Sequence, residues 1–269
     1  MTLIITFFLF ILGLSFGSFI SVIIERIHAG EKGIFLGHSK CPSCHHRLST
    51  LDLIPLVSYI MLKGTCRYCK KNFSSHYFYL ELFTAVVLTN LYFQHPFLIE
   101  TGTGIIETSG AIALFFAAKS ILSLIMIAIF FYDLKYLEIP NIFLYAFIGV
   151  ALISSLILGE PTIISMLMAL VISMIFFGGQ ILVSKGEWLG EGDLYIGLGM
   201  AILFGWQLLL VALIISYLIG GITASILLLT KKVQRKSKVP FAPFLVLGAF
   251  ITMIAGNEIL SSYLSYIWG

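Results

Sequence analysis

The sequence predicts an all-α polytopic membrane protein, about eight transmembrane helices with a small cytoplasmic domain between helices 1 and 2. Three observations carry this. Of 269 residues, 59% are hydrophobic and only 11% charged, where a soluble domain carries roughly 25% charge. Mean hydropathy is +1.04, and apolar runs near the length that crosses a bilayer, about 20 residues, recur between polar breaks. All four cysteines fall in one polar stretch, as two C-x-x-C pairs.

Cutting the chain at its polar breaks gives spans of about 3–24, 77–95, 110–132, 141–158, 162–183, 193–206, 208–230 and 241–262. The first has no basic residue before it and no small-residue cleavage site, so it is expected to stay as a helix rather than leave as a signal peptide. The sixth is short, and its boundary with the seventh falls at "FGWQ". The polar segments between spans alternate sides. One set is residues 25–76, 133–140, 184–192 and 231–240, and it holds fifteen of the sixteen Lys and Arg. The opposite set holds none, and the sixteenth, Lys119, lies inside the third span. Lys and Arg concentrate in cytoplasmic loops, so the first set is expected to face the cytoplasm. Asp133 and Asp193, each at the end of an apolar run, then lie on the same face. A net charge of +3 gives nucleic-acid binding no support.

The stretch "CPSCHHRLSTLDLIPLVSYIMLKGTCRYC" at 41–69 carries Cys41, Cys44, Cys66 and Cys69. Two residues between cysteines let both thiolates of a knuckle face one tetrahedral ion. The twenty-one residues between Cys44 and Cys66 slightly exceed the usual spacing of four-cysteine zinc sites. Disulfides are disfavoured in reducing cytoplasm, and basic neighbours Lys40, Arg67 and Lys70 favour thiolates. The pattern therefore predicts zinc in a structural role, since four cysteines leave no open coordination position. His45 and His46 are expected at the surface. About fifty residues bury little core unaided, so the fold is completed as a zinc-pinned domain.

A single aspartate at the end of a span is ordinarily a cap or turn residue. Three features count against that here. Gly190 and Gly192 of "GEGD" lack Cβ atoms, so backbone or substrate can approach Asp193 closely. "GLGMA" after it allows close helix packing. Pro140, in "DLKYLEIPN", extends Ile139 and breaks the helix beside Asp133, and irregular backbone at membrane depth lines cavities. If the two carboxyls meet, like charges force them to share one proton, the chemistry of an aspartic protease.

These segments resemble the type IV prepilin peptidase family, the bifunctional prepilin leader peptidases and N-methyltransferases that are membrane aspartic proteases of the GxGD type. The resemblance runs through "FGSFISVIIERI" at 16–27, the cysteine stretch continued to "ELFTA" at 81–85, "DLKYLEIPN" at 133–141, Gly190-Glu191-Gly192-Asp193, and "VPFAPFLVLG" at 239–248. It implies that Asp133 and Asp193 are the catalytic dyad, that Gly190, Glu191, Gly192 and Pro140 shape the active site, and that Cys41, Cys44, Cys66 and Cys69 hold zinc. It implies a prepilin or pseudopilin substrate, cut after the terminal glycine of its basic leader at the cytoplasmic face of the cell membrane. S-adenosylmethionine then methylates the new N-terminus. The implied organisation is helix 1 at 1–24, the zinc domain at 25–76 joined to helix 2 at 77–95 as a methyltransferase part, and a six-helix peptidase domain at 110–262. The chain departs from the family at Asn141, Tyr195, Ser21 and Ala242, where Asp, Lys, Asn and Gly are frequent.

Glu81 is read equally as an interfacial carboxylate and as a methyltransferase residue that holds the amine. Lys119 is expected to pair or snorkel. Glu138, Glu187 and Glu191 are either solvated loop charge or an attraction for a basic leader. Arg26 and the "KKVQRKSK" run read as topology anchors, the run also touching lipid headgroups. Two rival readings are a presenilin-like protease, which the cysteine module disfavours, and a proton-coupled transporter with a regulatory zinc knuckle. A relay would carry acids to the midplane, not to helix ends on one face.

Overall fold

The computed structural model describes residues 2–31, 37–94, 99–100, 106–107, 110–232, 234 and 239–268. Among these the chain is almost entirely helical. In order come α1 (Thr2–His28), a 3-10 turn (Thr50–Leu53), α2 (Val57–Met61), α3 (His76–Gln94), α4 (Gly110–Tyr136), α5 (Asn141–Leu158) and α6 (Ile163–Ser173). A π-helical turn (Met174–Gly178), α7 (Gly179–Ser184), α8 (Glu191–Leu229) and α9 (Ala242–Trp268) follow. Two-residue strands, β1 (Ile99–Glu100) and β2 (Ile106–Glu107), pair antiparallel ahead of α4. Most of the expected loop at 96–109 and part of the basic run after α8 lie outside the described residues.

Among the described residues, six helices are long and apolar enough to cross a membrane. Two differences connect that number with the expected eight. Helix α3 forms where helix 2 was expected, but Glu81, Thr84, Asn90 and Gln94 make it less apolar than the six. The expected sixth and seventh spans run together as the 39-residue α8. At 1.5 Å per residue it would measure about 58 Å if straight, nearly twice the hydrocarbon thickness of about 30 Å.

It is not straight. Gly205, inside the "FGWQ" boundary, leaves helical geometry at φ 69° and ψ −179°. In an unbroken helix the Ile202 carbonyl would accept from the Trp206 N–H four residues on. Here both groups turn to serines. Ser155 Oγ donates to Ile202 O at 3.1 Å, and Trp206 N donates to Ser165 Oγ at 3.2 Å. Neighbouring helices thus satisfy the backbone that the kink frees, as an apolar surround requires. Only glycine fits there: φ is left-handed, and a Cβ would collide with Ser165 Oγ and lie 2.9 Å from Pro161 Cβ.

The chain divides into two compact units, Met1–Ala128 and Ile129–Gly269. In the first, α1 packs along α3. The stripe Leu80, Glu81, Thr84, Ala85, Leu88, Leu91 and Tyr92 is buried on α3, the helical repeat of one covered face. Gly13 and Gly17, one turn apart on α1, allow the approach, because a Cβ at either would lie 2.5 Å from Ala85 Cα or 2.6 Å from Glu81 Cα. Lys119 on α4 places Nζ 4.4 Å from the centroid of the Phe115 ring, a cation–π contact within its own helix.

In the second unit α8 is central, packed by α5, α6 and α9. Its small residues seat large ones: the buried Phe177 ring lies against Gly197 and the buried Phe147 ring against Gly199. On the outer faces, large apolar side chains such as Ile153, Leu156, Ile164 and Ile214 are exposed, as lipid-facing helix surfaces are.

Candidate functional site

The cysteine centre is built from two copies of one local structure. In each knuckle the first cysteine exchanges backbone hydrogen bonds with the residues after it. Cys41 N donates to His46 O at 3.0 Å and His45 N to Cys41 O at 2.9 Å; Cys66 N donates to Lys71 O at 2.9 Å and Lys70 N to Cys66 O at 3.0 Å. His45 and Lys70, each four residues after a first cysteine, hold the same left-handed backbone, φ 55° and 59°. The four Sγ atoms lie within 4.8 Å of one another, and Cys41 Sγ is 3.9 Å from Cys69 Sγ. Ligands about 2.3 Å from one tetrahedral ion stand about 3.8 Å apart. The donor set therefore fits a metal ion.

Charge around the centre acts unevenly: a backbone hydrogen bond at His46 lowers the Cys44 thiol, but the neighbouring cysteines push it up to about 11. Backbone N–H groups, that of Cys69 first, lower the Cys66 thiol to about 7. Asp52 ties the 3-10 turn to the second knuckle: its carboxylate accepts from Arg67 Nε at 2.6 Å, Ser49 Oγ at 2.7 Å and Tyr68 Oη at 3.3 Å. Burial would raise Asp52, but hydrogen bonds from Ser49 and Arg67 outweigh it and hold the carboxyl near 2. His46 stacks on Tyr68 with ring centroids 3.8 Å apart, outside the ligand group as expected. Nearby, Glu81 is buried on α3, and its Oε2 accepts from Leu56 N at 2.8 Å.

In the second unit three helix ends converge. Asp133 lies one turn before the end of α4 and Asp193 in the first turn of α8; they are only 6% and 7% exposed. The carboxyls are within electrostatic reach of each other. Asp193 is also a helix cap, as its ordinary reading required: Gly190 N donates to Asp193 Oδ2 at 3.2 Å. Capping leaves the acid's other oxygen for a second role, because a carboxylate has two. The third end is α9, whose first amide, Ala242 N–H, meets the Asp133 carboxyl. Two helix N-termini thus turn positive ends toward the acids.

Local sequence explains the placement. Helix α4 stops at Leu137, in left-handed geometry with φ 57°. Pro140 acts three residues later, as N-cap of α5 with φ −63° and ψ 134°. The expected break beside Asp133 is present, but Leu137 makes it and Pro140 begins the next helix. Gly192 leaves room for Ile139, whose Cδ1 would lie 3.2 Å from a Cβ there, so the two aspartate segments touch. Gly190 and Glu191 are exposed at the start of α8, as are Glu138 and Glu187 on adjoining loops. Tyr195, where a lysine was noted as frequent, packs edge-on against Tyr145 at 6.0 Å.

Sequence reasoning missed two contributors. The Ala242 amide was noted only as a departure within "FAP". Tyr217, midway along α8, is within electrostatic reach of Asp193; its hydroxyl donates to Gln180 Oε1 at 3.0 Å and its ring meets Phe176 and Phe241. No local pattern marks a tyrosine that is twenty-four residues from the acid it faces.

Two family patterns cover the chain in succession. The Bacterial Peptidase A24 N-terminal domain matches residues 11–95, and the Type IV leader peptidase family matches 120–225. The chain belongs to the type IV leader peptidase family. Proteins named prepilin leader peptidase/N-methyltransferase match it nearly end to end. That of Aeromonas salmonicida is 27% identical over 287 residues, 96% of this chain and 93% of its own. The Bacillus subtilis protein is 27% identical over 261 residues, 97% and 98% of the two chains. The Pseudomonas aeruginosa protein is 25% identical over 283 residues, 95% and 92%. No solved structure matches. With six apolar helices of spanning length, this member of the family is a multi-pass membrane protein and a peptidase.

Proposed function

We propose that the chain removes the basic leader of a prepilin or pseudopilin at the cytoplasmic face of the membrane and then methylates the new N-terminus. The observation that carries the peptidase reading is the burial of Asp133 and Asp193 within electrostatic reach of each other. Two such carboxyls hold one proton between them. The ionised member takes a proton from water, whose oxygen bonds to the carbonyl carbon of the leader's last glycine. The protonated member gives its hydrogen to the carbonyl oxygen, and the tetrahedral species collapses with a proton delivered to the leaving amine. The N-termini of α8 and α9 offset the negative charge that the pair retains. Gly190, Gly192 and Pro140 shape the approach, and exposed Glu138, Glu187 and Glu191 attract the basic leader.

In the first unit Cys41, Cys44, Cys66 and Cys69 hold zinc as a structural staple, within a methyltransferase part spanning 25–95 that is distinct from the peptidase part at 110–262. Glu81 holds the new amine and takes its proton. S-adenosylmethionine supplies the methyl carbon, whose bond to sulfur breaks as its bond to nitrogen forms, the electron pair staying on sulfur. The test is the purified protein with a synthetic prepilin spanning the leader junction, read by mass spectrometry. The expected products are a peptide cut after glycine and the same peptide heavier by one methyl group. An intact substrate would sink the peptidase reading, and cleavage without methylation would sink only the second half.

A further inference from the structure

We infer that S-adenosylmethionine binds in the cavity of about 590 Å³ bounded by α1, α2, α3 and the cysteine module. The inference rests on the methyl-transfer reading and gives that activity a place. The volume falls within the range of about 300–1,000 Å³ usual for small-molecule sites. Its lining is the stronger argument, because it matches three parts of one molecule.

The first part is a sulfonium cation. Glu25 and Glu81 contribute carboxylates to the lining, and both are held in place. Tyr77 Oη donates to Glu25 Oε1 at 3.0 Å, and Glu81 receives the Leu56 amide. A fixed carboxylate in a partly enclosed cavity attracts a cation more than one in bulk water. The second part is an adenine ring. Tyr59, Tyr77 and Phe78 line the same space, with Tyr59 and Phe78 centroids 5.5 Å apart, a wall on which a flat base or a cation settles. The third part is an amino-acid carboxylate, and Arg26, 11% exposed at its side chain and 3.9 Å at Nε from the exposed Glu31 Oε2, lines the cavity as the guanidinium that would take the ligand's carboxylate in exchange for Glu31.

The placement also gives the cysteine centre a purpose. Cys41 and Asp52 lie in the cavity wall, so a metal that fixes the knuckles fixes one side of the site. Two glycines keep the opposite side close: Gly17 beneath Glu81, and Gly37, where a Cβ would lie 3.1 Å from an Arg26 guanidinium nitrogen.

The full chain in detergent is titrated calorimetrically with S-adenosylmethionine and with S-adenosylhomocysteine, which lacks the positive charge. Photo-crosslinking of labelled S-adenosylmethionine then maps the contact. Tighter binding of the sulfonium, a label on α1, α3 or residues 38–67, and at least about tenfold weaker binding by Glu25→Gln, the size of one charge-assisted contact, are expected. Glu25→Gln keeps the acceptor that Tyr77 uses, and an unchanged melting curve reports the fold. Should that variant fail to fold, Tyr59→Ala serves in its place. A label within Ile129–Gly269, or unweakened binding in both variants, overturns the cavity while leaving methyl transfer intact. Absence of any binding by the unaltered protein overturns both.

Discussion

The two candidate centres are assembled in opposite ways. The cysteine centre is local: 29 residues of chain, two knuckles with matching backbone, and hydrogen bonds from Arg67 and Tyr68 to one acid, Asp52. The aspartate centre is remote: its acids stand 60 residues apart, and helix packing brings them together. One is drawn together by short-range backbone hydrogen bonds around four cysteines that could hold a metal; the other depends on helix packing, in which Gly197 and Gly199 of α8 seat Phe177 and Phe147. A centre held by ligands is expected to fail when the ligands go; a centre held by packing is expected to survive isosteric changes to its acids, since an asparagine oxygen still accepts from the Gly190 amide. The difference predicts that the two can be broken separately.

The largest effect is expected from Asp133→Asn or Asp193→Asn, each isosteric with the acid it replaces. Cleavage of a prepilin peptide should fall by about a thousandfold, within the range that acid–base groups contribute. Zinc measured by elemental analysis should be unchanged in the same preparation. Loss of metal in either variant would show that the centres are not separable.

Next comes the reverse experiment. Cys41→Ser with Cys66→Ser should empty the zinc site, depress methylation and lower the melting temperature, while cleavage declines less. The expected loss in melting is several degrees, since a metal site in a domain of this size contributes much of its folding free energy. Cleavage that falls as far as methylation would mean that the first unit supports the second.

The smallest effect sharpens the comparison inside the cysteine module. Asp52→Asn should speed zinc loss to a chelator by roughly tenfold, as mutations around metal ligands do, without abolishing binding. The pH dependence follows from the depressed carboxyl. With a folded value near 2 and an ordinary one of 3.8, Asp52 contributes stability above about pH 4 and loses it only as pH falls toward 2. Thiolates protonate well before that, so acid should strip the metal before it breaks the Asp52–Arg67 pair. A zinc-release midpoint near pH 2 would contradict this order.

Much of this was legible from residues alone. Composition and hydropathy place the helices, because lipid tolerates only segments that satisfy their own backbone. The boundary at "FGWQ" was visible as a weak point between two spans. The C-x-x-C spacing marked the four cysteines that cluster, since a knuckle's geometry is fixed within a few residues. Asp193 and its glycines stood out because their turn is local too. The cause of the break after Asp133 was misplaced: left-handed geometry at a leucine leaves no mark in the sequence, whereas a proline does.

The sequence by itself determined that the chain is built from apolar helices, that its four cysteines lie in paired knuckles and that two acids stand at helix ends, all properties carried by short stretches of chain. Only the tertiary structure decided that those acids lie within reach of each other, that the Ala242 amide joins them, and that Ser155 and Ser165 mend the kink at Gly205. The physical reason is range. Hydrogen bonds and hydropathy act over a few residues and repeat along the chain, whereas the approach of α4, α8 and α9 depends on which side chains fit against which glycines.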